Sequence, residues 1–305
     1  MNMESEIICG YLVTAKQKRI NAVYLDLLQE FDRLCRKAGL TYWVFFGALI
    51  GAVRHKGFIP WDDDVDILLP RQDFDRLRKM TSEQFGAKAP YFLQSPLTDP
   101  AYNETLLRFR RSDTTALMWH DREALRSRPE RATYNMGLNL SIFPLTNYSE
   151  NPAIRKMQPW LASAVECVEH RALCSDGEKP FRHKLARAII DGAGYGNVIK
   201  FKHWLYHGDP TGKKVQCFNG LYPEPCMWNA EDFQETVMLP FEDIQIPAPA
   251  GYDRILSDTY GDYMQFPPEE KRSPPHDAYM DPDTPYTVSI QKLLASASDN
   301  EFLNL

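Results

Sequence analysis

The feature that most constrains this chain is an acidic cluster that runs directly into an apolar segment. Residues 62–66 contain four aspartates in five positions, and residues 67–69 are Ile, Leu and Leu. At an effective dielectric constant of about 20, two carboxylates about 5 Å apart repel each other by roughly 3 kcal/mol. The apolar flank indicates a buried strand, which disfavours a purely solvated acidic turn. A cation at the strand edge would relieve the repulsion, and carboxylate oxygens are ligands for Mg²⁺ or Mn²⁺.

Side chains on a strand alternate between its two faces. If this segment is extended, Asp62, Asp64 and Asp66 share one face and Asp63 points to the other. We assign Asp64 and Asp66 as metal ligands, and we expect Asp62 to position or deprotonate a hydroxyl group. These three aspartates are the predicted catalytic residues. Asp63 is expected to tolerate replacement by Asn.

Glycines and basic residues precede the acidic cluster. Gly47 and Gly51 follow the apolar run 42–46 and bracket a short turn or helix, where backbone amides could approach a ligand closely. Positive charge follows at Arg54, His55 and Lys56. Glycines, cations and metal-binding carboxylates together fit a nucleoside diphosphate, because its negative charge needs neutralising groups on several sides.

Residues 46–67 closely resemble the signature block of the LicD family. This family contains phosphocholine and polyol-phosphate transferases, belongs to the nucleotidyltransferase-fold superfamily, and has fukutin-related protein as a distant relative. The similarity continues at 110–115 and 142–145 and returns weakly at 239–242 and 260–276. It implies an α/β (α+β) fold: a nucleotidyltransferase-type mixed sheet with flanking helices and a helical insertion.

The resemblance also implies an activity. A phospho-alcohol would move from a CDP-linked donor to a glycan or other hydroxyl acceptor, with Mg²⁺ (or Mn²⁺) as cofactor. The substrate-binding residues expected on this basis are Gly47, Gly51, Arg54, His55, Lys56, Arg110 and His276. For Arg108, which lies on the same predicted strand as Arg110, phosphate contact and a structural ion pair are equally favoured.

One departure from the family pattern bears on activity. The family commonly has an Asp just before Ile-Phe-Pro-Leu, and this chain has Ser141 there. A serine hydroxyl does not replace an anionic ligand or base at neutral pH. Either Asp62 or Asp113 takes over the role, or activity is lost. Two alternative functions therefore stay open: a nucleotidyltransferase that attaches the nucleotide itself, and a catalytically dead binding protein.

Length and charge narrow the remaining possibilities. The 305 residues carry a formal net charge of −6, which argues against a general nucleic-acid-binding protein. We find no apolar run long enough for a transmembrane segment and no basic n-region of a signal peptide. The six scattered cysteines are typical of a reducing compartment, so we expect a cytoplasmic protein. The predicted parts are a catalytic core at 1–147, a helical insertion at 148–210, and residues 211–305 completing the catalytic domain.

Periodicity predicts the individual elements. Helices are expected at 16–38, 73–85, within 150–207 and at 252–260, and an irregular proline-rich tail is expected after them. The expected strands are 42–46, 65–69, 91–94, 106–110 and 138–143. In the insertion, cysteines and histidines recur at helical spacing, but ordinary packing is favoured over a zinc site. These residues are Cys167, His170, Cys174, His203 and His207.

Overall fold

The computed structural model describes residues 2–102, 106–127, 134–147, 149, 151–173, 180–205, 213–217 and 226–303. Their strands are β1 (Glu6–Ile8), β2 (Tyr11–Val13), β3 (Trp43–Phe45), β4 (Asp66–Pro70), β5 (Tyr91–Gln94), β6 (Leu107–Arg111), β7 (Thr115–Met118), β8 (Leu138–Asn147), β9 (Lys214–Cys217), β10 (Cys226–Asn229), β11 (Thr236–Phe241), β12 (Ile244–Pro249) and β13 (Ala278–Asp281). Their helices are α1 (Ala15–Ala38), α2 (Phe46–Ile50), α3 (Arg71–Arg78), α4 (Ser82–Phe85), α5 (Trp119–Ser127), α6 (Pro152–Leu173), α7 (Pro180–Ala193), α8 (Tyr195–Leu205), α9 (Tyr252–Tyr260), α10 (Tyr286–Ala295) and α11 (Asp299–Leu303).

The first helix, α1, closely matches the expected 16–38 helix. Thr14 caps its start by accepting a hydrogen bond from the Gln17 amide at 3.1 Å, and Gly39, with φ of 60°, ends it in the left-handed conformation. Its apolar face packs against β6 and β8. Phe31 is fully buried there, with its ring 5.1 Å from that of Tyr42 and 5.4 Å from that of Phe109. Helix and sheet therefore share one hydrophobic core.

The central sheet is mixed, which confirms the predicted fold class. Strand β8 lies in the middle, with β4 parallel to it on one side and β6 antiparallel to it on the other. β3 extends the sheet beyond β4, and β5 extends it beyond β6. The last residues of β8 pair with β9, which pairs in turn with β10. The strands expected at 42–46, 65–69, 91–94, 106–110 and 138–143 are all present within a few residues of those bounds.

Three helices are inserted between two neighbouring strands of this sheet. α6, α7 and α8 follow β8, precede β9 and contact one another. Ala186 and Ile190 are buried between them, with Val168 and Val198 packed alongside. The helical character of the insertion is thus as expected, whereas the domain boundaries stay a prediction. Among the helices that the structure describes, none has the length and apolarity that crossing a bilayer requires.

Two expected elements differ from the structure. The helix expected at 73–85 is two helices, because Thr81 and Gln84 form a capping box that starts α4 anew. The irregular tail expected after residue 260 contains β13, α10 and α11. β13 pairs with β7, and such a pairing between distant segments has no local sequence signal.

Candidate active site

One row of residues crosses four strands of the sheet. Asp66, the first residue of β4, lies opposite Phe45 of β3 and beside Ser141 of β8. Ser141 in turn lies opposite Arg108 of β6, whose Nη1 is 3.4 Å from the serine Oγ. Adjacent strands are about 4.8 Å apart, so the backbones of Asp66 and Arg108 are about 10 Å apart. A carboxylate, a hydroxyl and a guanidinium are thereby placed side by side.

The glycine segment before the cluster is helical. Phe46, with φ of 46°, leads into α2, and a single π-helical turn at Gly51–His55 follows. A Cβ on Gly47 would lie 3.2 Å from Cγ of Asp62 and closer still to its Oδ2. A Cβ on Gly51 would press on the carbonyl group of Gly57. Of the two conformations left open by the sequence, the helix is correct, and both glycines are required by close packing.

The carboxyl groups of Asp62, Asp64 and Asp66 share one poorly solvated space. Burial, together with the charges of Asp64 and Asp63, raises the pKa of Asp62 to about 8. Burial also raises the pKa of Asp64 and of Asp66, and Asp66 in addition feels the charges of Asp64 and Asp62. Arg108 opposes these shifts at Asp64 and Asp66. The three groups predicted to act together are therefore electrostatically coupled, and their catalytic roles stay a prediction.

Asp63 does not point away from this cluster, so that expectation was wrong. β4 begins only at Asp66, and the Asp62 amide closes a turn onto the Ile59 carbonyl at 3.0 Å. Strand alternation therefore does not apply to residues 62–65. The Asp63 side chain is buried, with its Oδ1 2.8 Å from Nδ1 of His276 and its Oδ2 accepting the His276 amide at 3.3 Å.

His276 joins the acidic cluster from a distant part of the chain. Its hydrogen bond with Asp63 raises its pKa, burial opposes this, and the charges of Asp64, Asp63 and Asp62 raise it further. Nδ1 also lies 3.9 Å from Oδ2 of Asp64. The ring is about one-third exposed. On the basis of the family resemblance, His276 was expected to be a substrate-binding residue, and in the structure it lies beside the aspartates. No sequence pattern predicted its hydrogen bond with Asp63.

The basic segment before the aspartates is mostly engaged in packing. Nη1 of Arg54 donates to the carbonyl oxygens of Tyr263 at 2.7 Å and Gln265 at 3.0 Å. His55 stacks on Phe266 with ring centroids 5.3 Å apart, and burial together with the Arg54 charge lowers its pKa to about 4. It is therefore a neutral ring at pH 7. These contacts do not support the expected phosphate-binding roles of Arg54 and His55, whereas Lys56 is exposed.

Two of the three arginines of β6, Arg108 and Arg110, have different surroundings. Arg110 is buried, and its guanidinium donates to side-chain oxygens of Gln94 and Asn139 and to the carbonyl of Gly137. These structural contacts do not support the expected substrate contact at Arg110. Arg108, which the sequence left undecided, acts electrostatically on Asp64 and Asp66. Arg108 is thus the arginine of this strand that faces the carboxylates.

Ser141 lies directly beside Asp66, on the neighbouring strand β8. Of the two replacements considered for a missing third carboxylate, only Asp62 is near. Asp113 pairs with Arg111 at 2.9 Å, and Arg111 lies three residues along β6 from Arg108, which is about 10 Å in an extended strand. These contacts favour Asp62 as the substitute, which stays a prediction.

The residues present fit a divalent cation. The charge of Asp64 raises the pKa of Asp62 and of Asp66, and the charge of Asp62 also raises that of Asp66. The positive charges of Arg108 and His276 act on this cluster in the opposite direction. Asp63, Asp64 and His276 also offer one ligand atom each within 4.8 Å of one another. Because both oxygens of Asp63 already accept hydrogen bonds from His276, Asp64 and Asp66 remain the expected ligands. Of the possible zinc ligands, Cys174 and His207 and the side chains of His170 and His203 lie outside the described residues.

Comparison with known proteins shows what this chain is similar to. Residues 39–122 match the nucleotidyltransferase domain described as LicD/FKTN/FKRP. The chain is 26% identical over 266 residues to the lipopolysaccharide cholinephosphotransferase LicD of Haemophilus influenzae, covering 83% of this chain and 93% of that protein. It is 38% identical over 50 residues to human ribitol 5-phosphate transferase FKRP, covering 16% of this chain and 10% of that protein. An uncharacterized protein of Rickettsia prowazekii is 39% identical over 68 residues, covering 22% of this chain and 26% of that protein.

The fold and the site define a protein with a nucleotidyltransferase-type mixed sheet and an acidic cluster at the start of its second core strand. The matching domain contains α2, the cluster and Arg108, and the similarity to LicD extends over most of the chain. The chain is therefore similar to LicD-type phosphotransferases, through the matched domain and over most of its length.

Proposed function

We propose that this protein transfers a phospho-alcohol, phosphocholine-like or a polyol phosphate, from a CDP-linked donor to the hydroxyl of a glycan or other acceptor. The family supports a LicD-type phosphotransferase, since relatives carry the names cholinephosphotransferase and ribitol 5-phosphate transferase. The single observation that carries the proposal is the placement of three coupled carboxylates beside Arg108 at the row of Asp66 and Ser141. That arrangement suits a diphosphate whose transfer needs both a cation and a base.

Asp64 and Asp66 would hold Mg²⁺ or Mn²⁺, which when bound would neutralise phosphate charge and stabilise the departing nucleotide. The guanidinium of Arg108 would donate to phosphate oxygens, because its planar fork matches their geometry. Ser141 would contribute a neutral hydroxyl beside Asp66. Asp63 would fix the ring of His276 toward the same space through their two hydrogen bonds.

The proposed step is one displacement at phosphorus. The acceptor hydroxyl oxygen forms a bond to the phosphorus that carries the alcohol, the bond from that phosphorus to the bridging oxygen breaks, and CMP leaves. The hydroxyl proton passes to the Asp62 carboxylate. Burial and neighbouring negative charge raise the pKa of this group, and a cation held by Asp64 and Asp66 would lower it again, so that the carboxylate form could accept the proton near neutral pH.

The test is the mass of the product. The protein is incubated with CDP-choline or CDP-ribitol and a glycan acceptor, with Mg²⁺ or with EDTA, and the acceptor is analysed by mass spectrometry. We expect addition of the phospho-alcohol, release of CMP, and loss of both with EDTA or with Asp64→Asn. A CDP donor at about 100 times its dissociation constant should also add roughly 2.7 kcal/mol to the free energy of unfolding.

Two outcomes would contradict the proposal. Addition of CMP to the acceptor would identify a nucleotidyltransferase. Binding of metal and CDP-alcohol without turnover would identify a binding protein, an alternative that Ser141 specifically favours because it replaces the usual acid beside Asp66. Creation of activity by Ser141→Asp would then show that the missing carboxylate is the cause.

A further inference from the structure

Several large apolar side chains of the inserted helices are exposed. Trp160 of α6 is 79% exposed, Phe181 of α7 is 75% exposed and Trp204 of α8 is 67% exposed. Other exposed apolar side chains on these helices are Ile154, Met157, Leu185, Ile189 and Phe201. Exposed apolar surface on this scale marks an interaction site, because isolated surface residues do not cluster on three adjacent helices.

The exposed side of α7 carries an apolar stripe with a basic residue on each side of it. At about 100° per residue, Phe181, Leu185 and Ile189 form one stripe within about 80° of arc. Ala186 and Ile190, which are buried, lie on the opposite side of the helix. The exposed Lys184 and Arg182 flank the stripe, one on each side. Basic residues at the borders of an apolar stripe are typical of helices that lie in the plane of a membrane interface.

Charge distinguishes this region from the rest of the chain. Residues 180–205 contain five Lys and Arg and one Asp, a net charge of +4, in a chain whose total is −6. The residues outside 180–205 therefore carry a formal net charge of −10. Lys and Arg can keep their charged ends in water while their stems cover apolar surface. A membrane is the favoured occupant, because the basic residues lie at the borders of the apolar stripe, where lipid headgroups would be.

Aromatic side chains complete the pattern. Phe201 and Trp204 of α8 stack with ring centroids 5.6 Å apart, and both are exposed. Trp and Phe on the apolar face, with Lys and Arg beside them, match the depth profile of an interface between headgroups and acyl chains. We propose that α6, α7 and α8 bind the surface of a membrane that contains anionic lipids, with the apolar residues inserted and the basic residues at the headgroups.

The experiment is flotation of the full chain with vesicles of phosphatidylcholine alone or with about one-third phosphatidylglycerol. We expect binding to the anionic vesicles and much weaker binding to the neutral ones. Phe181→Ser/Leu185→Ser should reduce binding about 10²-fold, because each inserted apolar side chain contributes roughly tenfold. Arg182→Ser/Lys184→Ser should reduce binding about fivefold per charge, and only on anionic vesicles.

Leu97→Ser is the matched control, since Leu97 is 55% exposed and lies outside the insertion. It should bind as the unchanged protein does. Quenching of tryptophan fluorescence by brominated lipid gives a second measurement that does not depend on serine variants. Trp160→Phe/Trp204→Phe should abolish the quenching, whereas Trp119→Phe should not.

Three results would overturn the proposal. The unchanged protein could fail to float with anionic vesicles, or the Phe181→Ser/Leu185→Ser variant could float equally well. Alternatively, sedimentation equilibrium could show a dimer that this variant dissociates, in which case a second copy of the chain covers the face.

Discussion

Replacing Gly47 by Ala should separate catalysis from stability. The new Cβ would lie 3.2 Å from Cγ of Asp62 and well inside contact with Oδ2. To restore an ordinary van der Waals distance to the new Cβ, the Asp62 carboxylate must move away by about 1 Å. A misplacement of this size can cost about 10²-fold in rate. Because φ at Gly47 is not positive, the backbone accepts alanine, and α2 gains at most about 1 kcal/mol of helix propensity.

The assay is turnover of a CDP-alcohol together with thermal unfolding. We expect Gly47→Ala to lower turnover about 10²-fold while the melting temperature changes by no more than about 3 °C. Gly196→Ala is the matched control: Gly196 is also the second residue of its helix, and nothing lies within 4 Å of its added Cβ. Its turnover should stay unchanged.

A double variant tests whether Gly47 acts through Asp62. In an Asp62→Ala background the carboxylate is gone, so Gly47→Ala should cost little further activity. Turnover of Gly47→Ala within about threefold of the unchanged protein would refute the reasoning. A full additional loss in the Asp62→Ala background would show that Gly47 supports some other group.

Three further predictions concern the carboxylates and their neighbours. Asp64→Asn or Asp66→Asn should lower turnover by about 10²–10⁴. Either variant should also raise the melting temperature in EDTA, because one of several repelling charges is removed, and a lower melting temperature would contradict the electrostatic repulsion between these carboxylates. Asp63→Asn should destabilise the fold by about 1–3 kcal/mol, as measured by urea unfolding, because a buried acceptor of two His276 hydrogen bonds is weakened; unchanged stability would argue against the pair. Ser141→Ala should keep turnover within about threefold if Asp62 has replaced the missing acid, and a complete loss would assign a role to the hydroxyl.

The local pattern of apolar residues was sufficient to predict many of the helices and strands. The apolar spacing of 16–38 predicts α1 because a helix must bury one face, and Gly39 ends it by adopting the left-handed conformation. Apolar β-branched and aromatic runs likewise predict the core strands. The same reasoning fails for β13, because its pairing with β7 joins segments more than 150 residues apart.

The sequence by itself determined the residue types of the site: carboxylates before a buried strand, glycines that admit no side chain, and basic groups nearby. Only the tertiary structure decided which of them meet. The register across β4, β8 and β6 places Arg108 near Asp66. Arg110 is instead buried and donates a hydrogen bond to Gln94. Spacing does not predict the Asp63–His276 contact, because residues 62–65 precede β4 and do not follow the two-residue period of a strand. Outside a strand, side-chain direction depends on contacts from distant segments, and no spacing rule within the cluster contains them.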